Sequence, residues 1–210
     1  MTTPSAPGPV RPAIQIAHGS PTRPYVALTF HGAGDIGYAR EILRIAGEKR
    51  ARITVMAVGT WLKDNPFIGK EILAGGHELG NHTLSHLDIN SLPEKEARAE
   101  IVGCRELLRQ TAGVPGVYFR QSQSQTANAL VRKTAAEAGY GVCLSYNVDS
   151  MDWTDPGANA VRQNTAAAGR GAIVSMHLGH SDTVQALPGV LDDLGRRGLS
   201  AVTVSTLLRH

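Results

Sequence analysis

From Tyr25 onward the chain alternates two hydrophobic rhythms. Short apolar, β-branched runs trade places with longer segments whose apolar residues recur every three or four positions. The runs YVALTF, RITVMAVG, the start of HELGNHTLSH, GVYFR, YGVCLSYNVDS, GAIVSMHLG and LSAVTVS predict strands. Between them, IGYAREILRIAGEKR carries a helical stripe at Ile36, Ala39, Ile42, Leu43 and Ala46, and PFIGKEILAGG ends in glycines, as helices often do. SLPEKEARAEIVGCRELLRQTAG reads as a long amphipathic helix with Ser91 as N-cap, Glu94 three residues later and a glycine stop. TANALVRKTAAEAG, NAVRQNTAAAG and VQALPGVLDDLGRRG add three more helices, and TLLRH starts a terminal one. This alternation predicts an α/β fold on a mostly parallel sheet, closed into a barrel or open. No internal repeat or second boundary is visible, so residues 25–210 read as one domain behind a Pro/Gly-rich tail or linker at 1–24.

In such folds chemistry collects at the carboxyl ends of the strands. Those ends carry His31 and Asp35, then His82 and His86, then Arg120, then Asp149 and Asp152, then His177. In HTLSH the i, i+4 spacing sets His82 and His86 on one face of a helical turn, a common way to hold a divalent metal. The plainer alternative is two unrelated loop histidines. A third ligand upstream would favour the metal, and both His31 and Asp35 offer one. HGAGD is a poor phosphate turn, because it has no lysine and no GxGxxG.

Composition narrows the classes further. With 21 Lys plus Arg against 18 Asp plus Glu, the net charge is +3. That suits loose attraction to an anionic surface such as a cell wall. A Lys/Arg stripe interleaved with aromatics is missing, so nucleic acid is not expected as a partner. No apolar run is long enough to span a membrane. The first residues lack the apolar stretch of a signal peptide. Cys104 and Cys143 form no CxxC and read as core residues or a single disulfide.

The order of motifs resembles the polysaccharide deacetylase family, the NodB-homology carbohydrate esterases. That family's five motifs, T-F-D-D-G, H-[ST]-x-x-H, R-P-P-Y-G, D-x-x-D-W and an apolar strand ending in His, read here as TFHGAGD, HTLSH, RQSQS, DSMDW and IVSMH. The likeness runs from about Tyr25 to Leu208. It implies a distorted (β/α) barrel of seven or eight strands with one divalent metal, most simply Zn2+, with Co2+, Ni2+ or Mn2+ as alternatives. It implies removal of an N- or O-acetyl group from a polymeric sugar of peptidoglycan, chitin or xylan type, in the cell envelope or outside the cell. By resemblance, His82 and His86 are metal ligands and His177 is the general acid. Asp152 is the carboxylate that keeps that imidazole protonated, and Arg120 holds the catalytic base. Gln123 stands where a backbone N–H supports the oxyanion, and Trp153 is an apolar wall.

The first motif departs from the pattern. The positions of its paired aspartates, one base and one ligand, are held by His31 and Gly32, with Asp35 three residues on. Three arrangements follow. Asp35 folds back as the third ligand, with His31 as base or orienter; or His31 is the ligand and Asp35 the base; or the metal is weak or absent and the chain is a glycan-binding pseudoenzyme. Hydrolysis of a small amide is a further alternative. RPPYG has become RQSQS, and Ser175 replaces an apolar residue two positions before His177. Both changes imply an altered pocket.

Overall fold

The computed structural model describes residues 10–209. The eight strands are β1 (Ile14–Ile16), β2 (Tyr25–Gly32), β3 (Thr54–Ala57), β4 (Glu78–Asn81), β5 (Val142–Leu144), β6 (Val148–Asp149), β7 (Ile173–His177) and β8 (Ser200–Ala201). The helices are α1 (Ile36–Glu48), α2 (Gly59–Asp64), α3 (Ile68–Ala74), α4 (Glu94–Ala112), α5 (Ala129–Glu137), α6 (Ala158–Thr165), α7 (Ser181–Arg196) and α8 (Val204–Leu208). Every named strand pair is parallel, in the order β4-β3-β2-β7-β6, with β8 beside the start of β2 and β1 beside β5. Residues 117–120 run extended between the two groups, and Phe119 bridges Asn81 on one side and Cys143 on the other.

Period-two alternation splits each strand between two environments. In β2, Leu28 and Phe30 pack outward into the main core beneath the helices. Ala27 faces inward, with Met56, Leu144 and Ile173, over Val204 and Leu207 of α8. Thr29 and His31 continue the inward column of β2, as Ser175 and His177 do on β7. One end of this interior is therefore plugged with apolar side chains. At the other, where the strands end, polar groups take their place.

Three details differ from the sequence reading, and one alternative is decided. Part of the predicted tail is sheet: Ile14, Gln15 and Ile16 pair with Val142, Cys143 and Leu144, and Ala13 is buried. Residues 1–9 of that tail lie outside the described residues, as does His210. The strand expected over 140–150 is two, because after Leu144 the chain leaves β1 to pair with β7. Ser91 does not cap α4. It ends a 3-10 turn, donates to Asp88 O, and leaves the cap position to Pro93. Cys104 and Cys143 are both buried and unpaired, which makes them core residues.

Candidate active site

The first candidate side chain comes from β2. His31 lies opposite His177 of β7 in register, and the rings stack at 4.3 Å between centroids. His82 follows directly after β4, and HTLSH continues as a loop, not the helical turn its spacing suggested. Thr83 and His86 both take positive φ, 68° and 61°. Asn81 Oδ1 accepts the Thr83 N–H, and Thr83 Oγ1 accepts the His86 N–H. The buried Glu100 of α4 accepts both the backbone and the hydroxyl of Ser85. These bonds curl the loop so that His86 returns over His82.

The result is a cluster of three imidazoles, with one ring nitrogen from each of His31, His82 and His86 lying within 4.8 Å of the others. His31 Nδ1 is 2.7 Å, and His86 Nε2 3.1 Å, from His82 Nε2. The distal atoms are held too. His82 Nδ1 donates to Arg120 O at 3.0 Å, which leaves the Nε2 lone pair facing its neighbours. The Gln123 amide meets His86 Nδ1 at 3.1 Å, and Ser175 Oγ meets His31 Nε2 at 3.1 Å. The Ser175 hydroxyl donates or accepts, so it supports either tautomer of His31.

Burial, then the charges of His82, His177 and Arg120, hold His31 well below the usual imidazole range. Burial and His86 do the same to His82, and burial lowers His86 as well. Neutral imidazoles are the form that binds metal. Two nitrogens on one tetrahedral zinc stand roughly 3.4 Å apart. Seating a tetrahedral ion therefore requires His31 and His82 to part by about 0.7 Å and His86 and His82 by about 0.3 Å.

Beside the cluster, His177 Nδ1 lies 2.7 Å from Asp152 Oδ1. Asp152 Oδ2 accepts the His177 backbone N–H and the Thr183 hydroxyl at 2.8 and 2.6 Å. Burial alone would raise the Asp152 pKa, but the bonds from His177 and Thr183 outweigh it and hold the carboxyl below its ordinary value. Arg120 is 1% exposed; its guanidinium donates to Leu144 O and Ser145 O and faces His31 Nε2 at 3.4 Å. Burial brings its pKa down to about 10. A cleft of about 330 Å³ opens above, walled by Gln123, Tyr146, Asp149 and Trp153 among others.

Asp35 is not in the cluster. It is the N-cap of α1, and Oδ1 accepts the N–H groups of Gly37 and Tyr38 at 2.7 and 3.1 Å. The glycines before it do not fold the carboxylate back. Gly34, at φ 84°, approaches the backbone of Gly179 so closely that a Cβ there would sit 2.6 Å from Gly179 Cα. Gly34 O also accepts the Trp61 indole N–H. Gly32, at the position resembling the second family aspartate, is equally confined: a Cβ would meet Val55 Cγ1 at 2.9 Å and Ala57 Cα at 3.0 Å.

Of the supporting residues, Ser175 was legible only as a departure from the motif. Asn81, Glu100 and Thr183 carried no signal as partners, because sheet register and helix packing bring them in. Among the described residues, four of the six non-glycine residues with positive φ, namely Thr83, His86, Gln123 and Met151, belong to the motif loops. Such outliers collect where side chains are held for function.

The polysaccharide deacetylase family profile matches residues 18–143. A peptidoglycan-N-acetylglucosamine deacetylase from Bacillus cereus is 33% identical over 88% of this chain and 88% of its own. A solved peptidoglycan N-acetylglucosamine deacetylase superposes with a TM-score of 0.86 at 26% identity, covering 92% of both chains. A CE4 family pseudoenzyme from Bacillus anthracis superposes at 0.87 and 26% identity, over 93% of this chain and 69% of that one. A mutant of that protein is described as having restored enzymatic activity. The fold is a parallel-sheet α/β fold of NodB-homology type, and the chain belongs to the polysaccharide deacetylase family.

Proposed function

We propose that this chain is a metal-dependent hydrolase that removes N- or O-acetyl groups from a polymeric sugar of the peptidoglycan, chitin or xylan type, in the cell envelope or outside the cell. The observation that carries the reading is the three-histidine cluster set against the His177–Asp152 pair at the carboxyl ends of the strands. His31, His82 and His86 would hold the ion, most simply Zn2+. When bound it supplies Lewis-acid polarisation of an acyl oxygen and activation of water. The remaining work belongs to the chain. His177, oriented by Asp152, delivers a proton to the leaving nitrogen or oxygen. The backbone N–H of Gln123, at the rim beside His86, is available to the oxyanion. Trp153 and Tyr146 offer ring faces for a pyranose, and Arg120 sets a fixed positive charge beneath the reacting group.

The peptidoglycan and chitooligosaccharide deacetylases among the relatives support the substrate class. The test is acetate release from N-acetylated chitooligosaccharides and peptidoglycan by the zinc-loaded chain, with anomalous scattering locating the ion. Release with zinc on the three histidines is expected; zinc bound elsewhere removes the ligand set. A second reading, glycan binding without hydrolysis, is favoured by the loss of both first-motif carboxylates. It predicts calorimetric binding of the oligosaccharide with no acetate released at any metal loading.

A further inference from the structure

The cleft is left without an obvious proton acceptor. Asp35 caps a helix, and Asp152 sits behind His177 with both oxygens engaged. Among the residues lining the cleft, the one carboxylate is Asp149. It ends β6, in register with Ser175 of β7. Register partners on neighbouring strands project from the same face about 5 Å apart. The Ser175 hydroxyl in turn touches His31. Asp149 therefore stands one strand away from the group that contacts the cluster, on the inward face. Its Oδ1 accepts the Met151 N–H at 2.9 Å, which fixes the carboxylate at the turn into Asp152 and Trp153.

The charges around it agree. Among the described residues Arg120 bonds no carboxylate: Nε and Nη2 donate to backbone carbonyls, and Nη1 faces His31. Asp149 nonetheless acts on it, favouring its charged form, and acts likewise on the protonated phenol of Tyr146. In the resemblance, this arginine is the residue that holds the catalytic base. Here β2 supplies no carboxylate, and Asp149 on β6, the first Asp of DSMDW, is the carboxylate within its field.

We propose that Asp149 is the general base of this site, standing in for the carboxylate missing from the first motif. The assignment rests on the deacetylase reading above. Asp149 takes a proton from water as the water oxygen bonds to the acyl carbon. The carbon–nitrogen bond, or carbon–oxygen bond in an ester, then breaks as His177 gives its proton to the leaving atom. Acetate and the free amine or hydroxyl depart. Asp149 has gained one proton and His177 has lost one, and exchange with solvent resets both.

The experiment compares wild type with Asp149→Asn and Asp149→Gly, using zinc-loaded protein and N-acetylated chitopentaose. Asn keeps the Oδ1 acceptor for Met151 but cannot take a proton. The expected result is a fall in kcat of about 100-fold or more, with zinc stoichiometry and KM unchanged. Added formate should restore part of the turnover of Asp149→Gly and none of the turnover of a His177→Ala control. Acetate release within threefold of wild type in Asp149→Asn, or no formate rescue, overturns the base assignment and leaves the deacetylase reading standing. No release by wild type removes both.

Discussion

β4 is bracketed by two buried histidines, and they have opposite fates. His77 precedes it and is 6% exposed; its Nδ1 accepts the Ile53 N–H at 3.2 Å. Burial, with Arg52 nearby, lowers its pKa to about 4. His82 follows β4, is also buried and is shifted the same way. Burial and a depressed pKa therefore do not separate a structural imidazole from a chemical one. Convergence does: the Nε2 of His82 meets two other ring nitrogens. The backbone marks the same difference. Before His77 the positive φ falls on Gly76, which adopts it freely. Beyond His82 it falls on Thr83 and His86, each at a cost of roughly 1–2 kcal/mol. A turn that needs only to turn uses glycine, whereas one that must present a side chain accepts the strain.

The largest effect should come from exchanging damage between the two ends. His82→Ala should weaken zinc binding by more than the roughly 10–100-fold typical of a supporting residue and abolish acetate release. His77→Ala should lower stability while each folded molecule keeps its zinc and its turnover. A zinc competition titration decides, and loss of zinc in His77→Ala would end the distinction. Next, His177→Ala should cut kcat by about 10²–10⁴ with the metal still bound. Loss of metal would make His177 a ligand.

A smaller effect comes from pH. His77 titrates near 6.5 when unfolded and near 4 when folded, so over that window the unfolded chain binds more protons. Its contribution to stability is therefore complete above pH 6.5 and disappears as the pH falls toward 4. At about 1.4 kcal/mol per unit, the loss is on the order of 3 kcal/mol. Urea midpoints of metal-free protein should fall over this range, and less steeply in His77→Asn. An equal slope in the variant would assign the acid sensitivity elsewhere. The smallest effect concerns the other carboxylate. Asp35→Ala should cost about 1 kcal/mol, as a lost helix cap does, and leave zinc affinity alone. A tenfold weaker affinity would return Asp35 to the ligand set.

The α/β alternation was legible because the longer elements, such as β2 and α4, keep their own period over enough residues, whereas the six-residue α2 carried no helical stripe. β1 was not: it spans three residues behind a Pro-rich start, and its partner lies 128 positions away at Cys143. The histidines were legible as strand-end residues, although the curl that joins His82 to His86 depends on Glu100 from another element. Asp35 shows a weaker kind of legibility. An Asp immediately before an apolar helical stripe is an N-cap signal, and the same residue three places past a missing ligand reads as a substitute. The cap bonds from Gly37 and Tyr38, with the backbone contact between Gly34 and Gly179, separate the two. Ser175 and Thr183 reach the site through register and helix packing, which no local pattern encodes.

The tight seat of Gly32 also bears on the history of this chain. Any side chain there must first displace a β-branched valine or the backbone of Ala57. Restoring the aspartate would then come at the expense of the fold unless the β3 side had already yielded. A single reverting substitution would meet that penalty before it met any benefit. The packing around one glycine thus works as a ratchet, set against a carboxylate at this position while β3 keeps its present side chains.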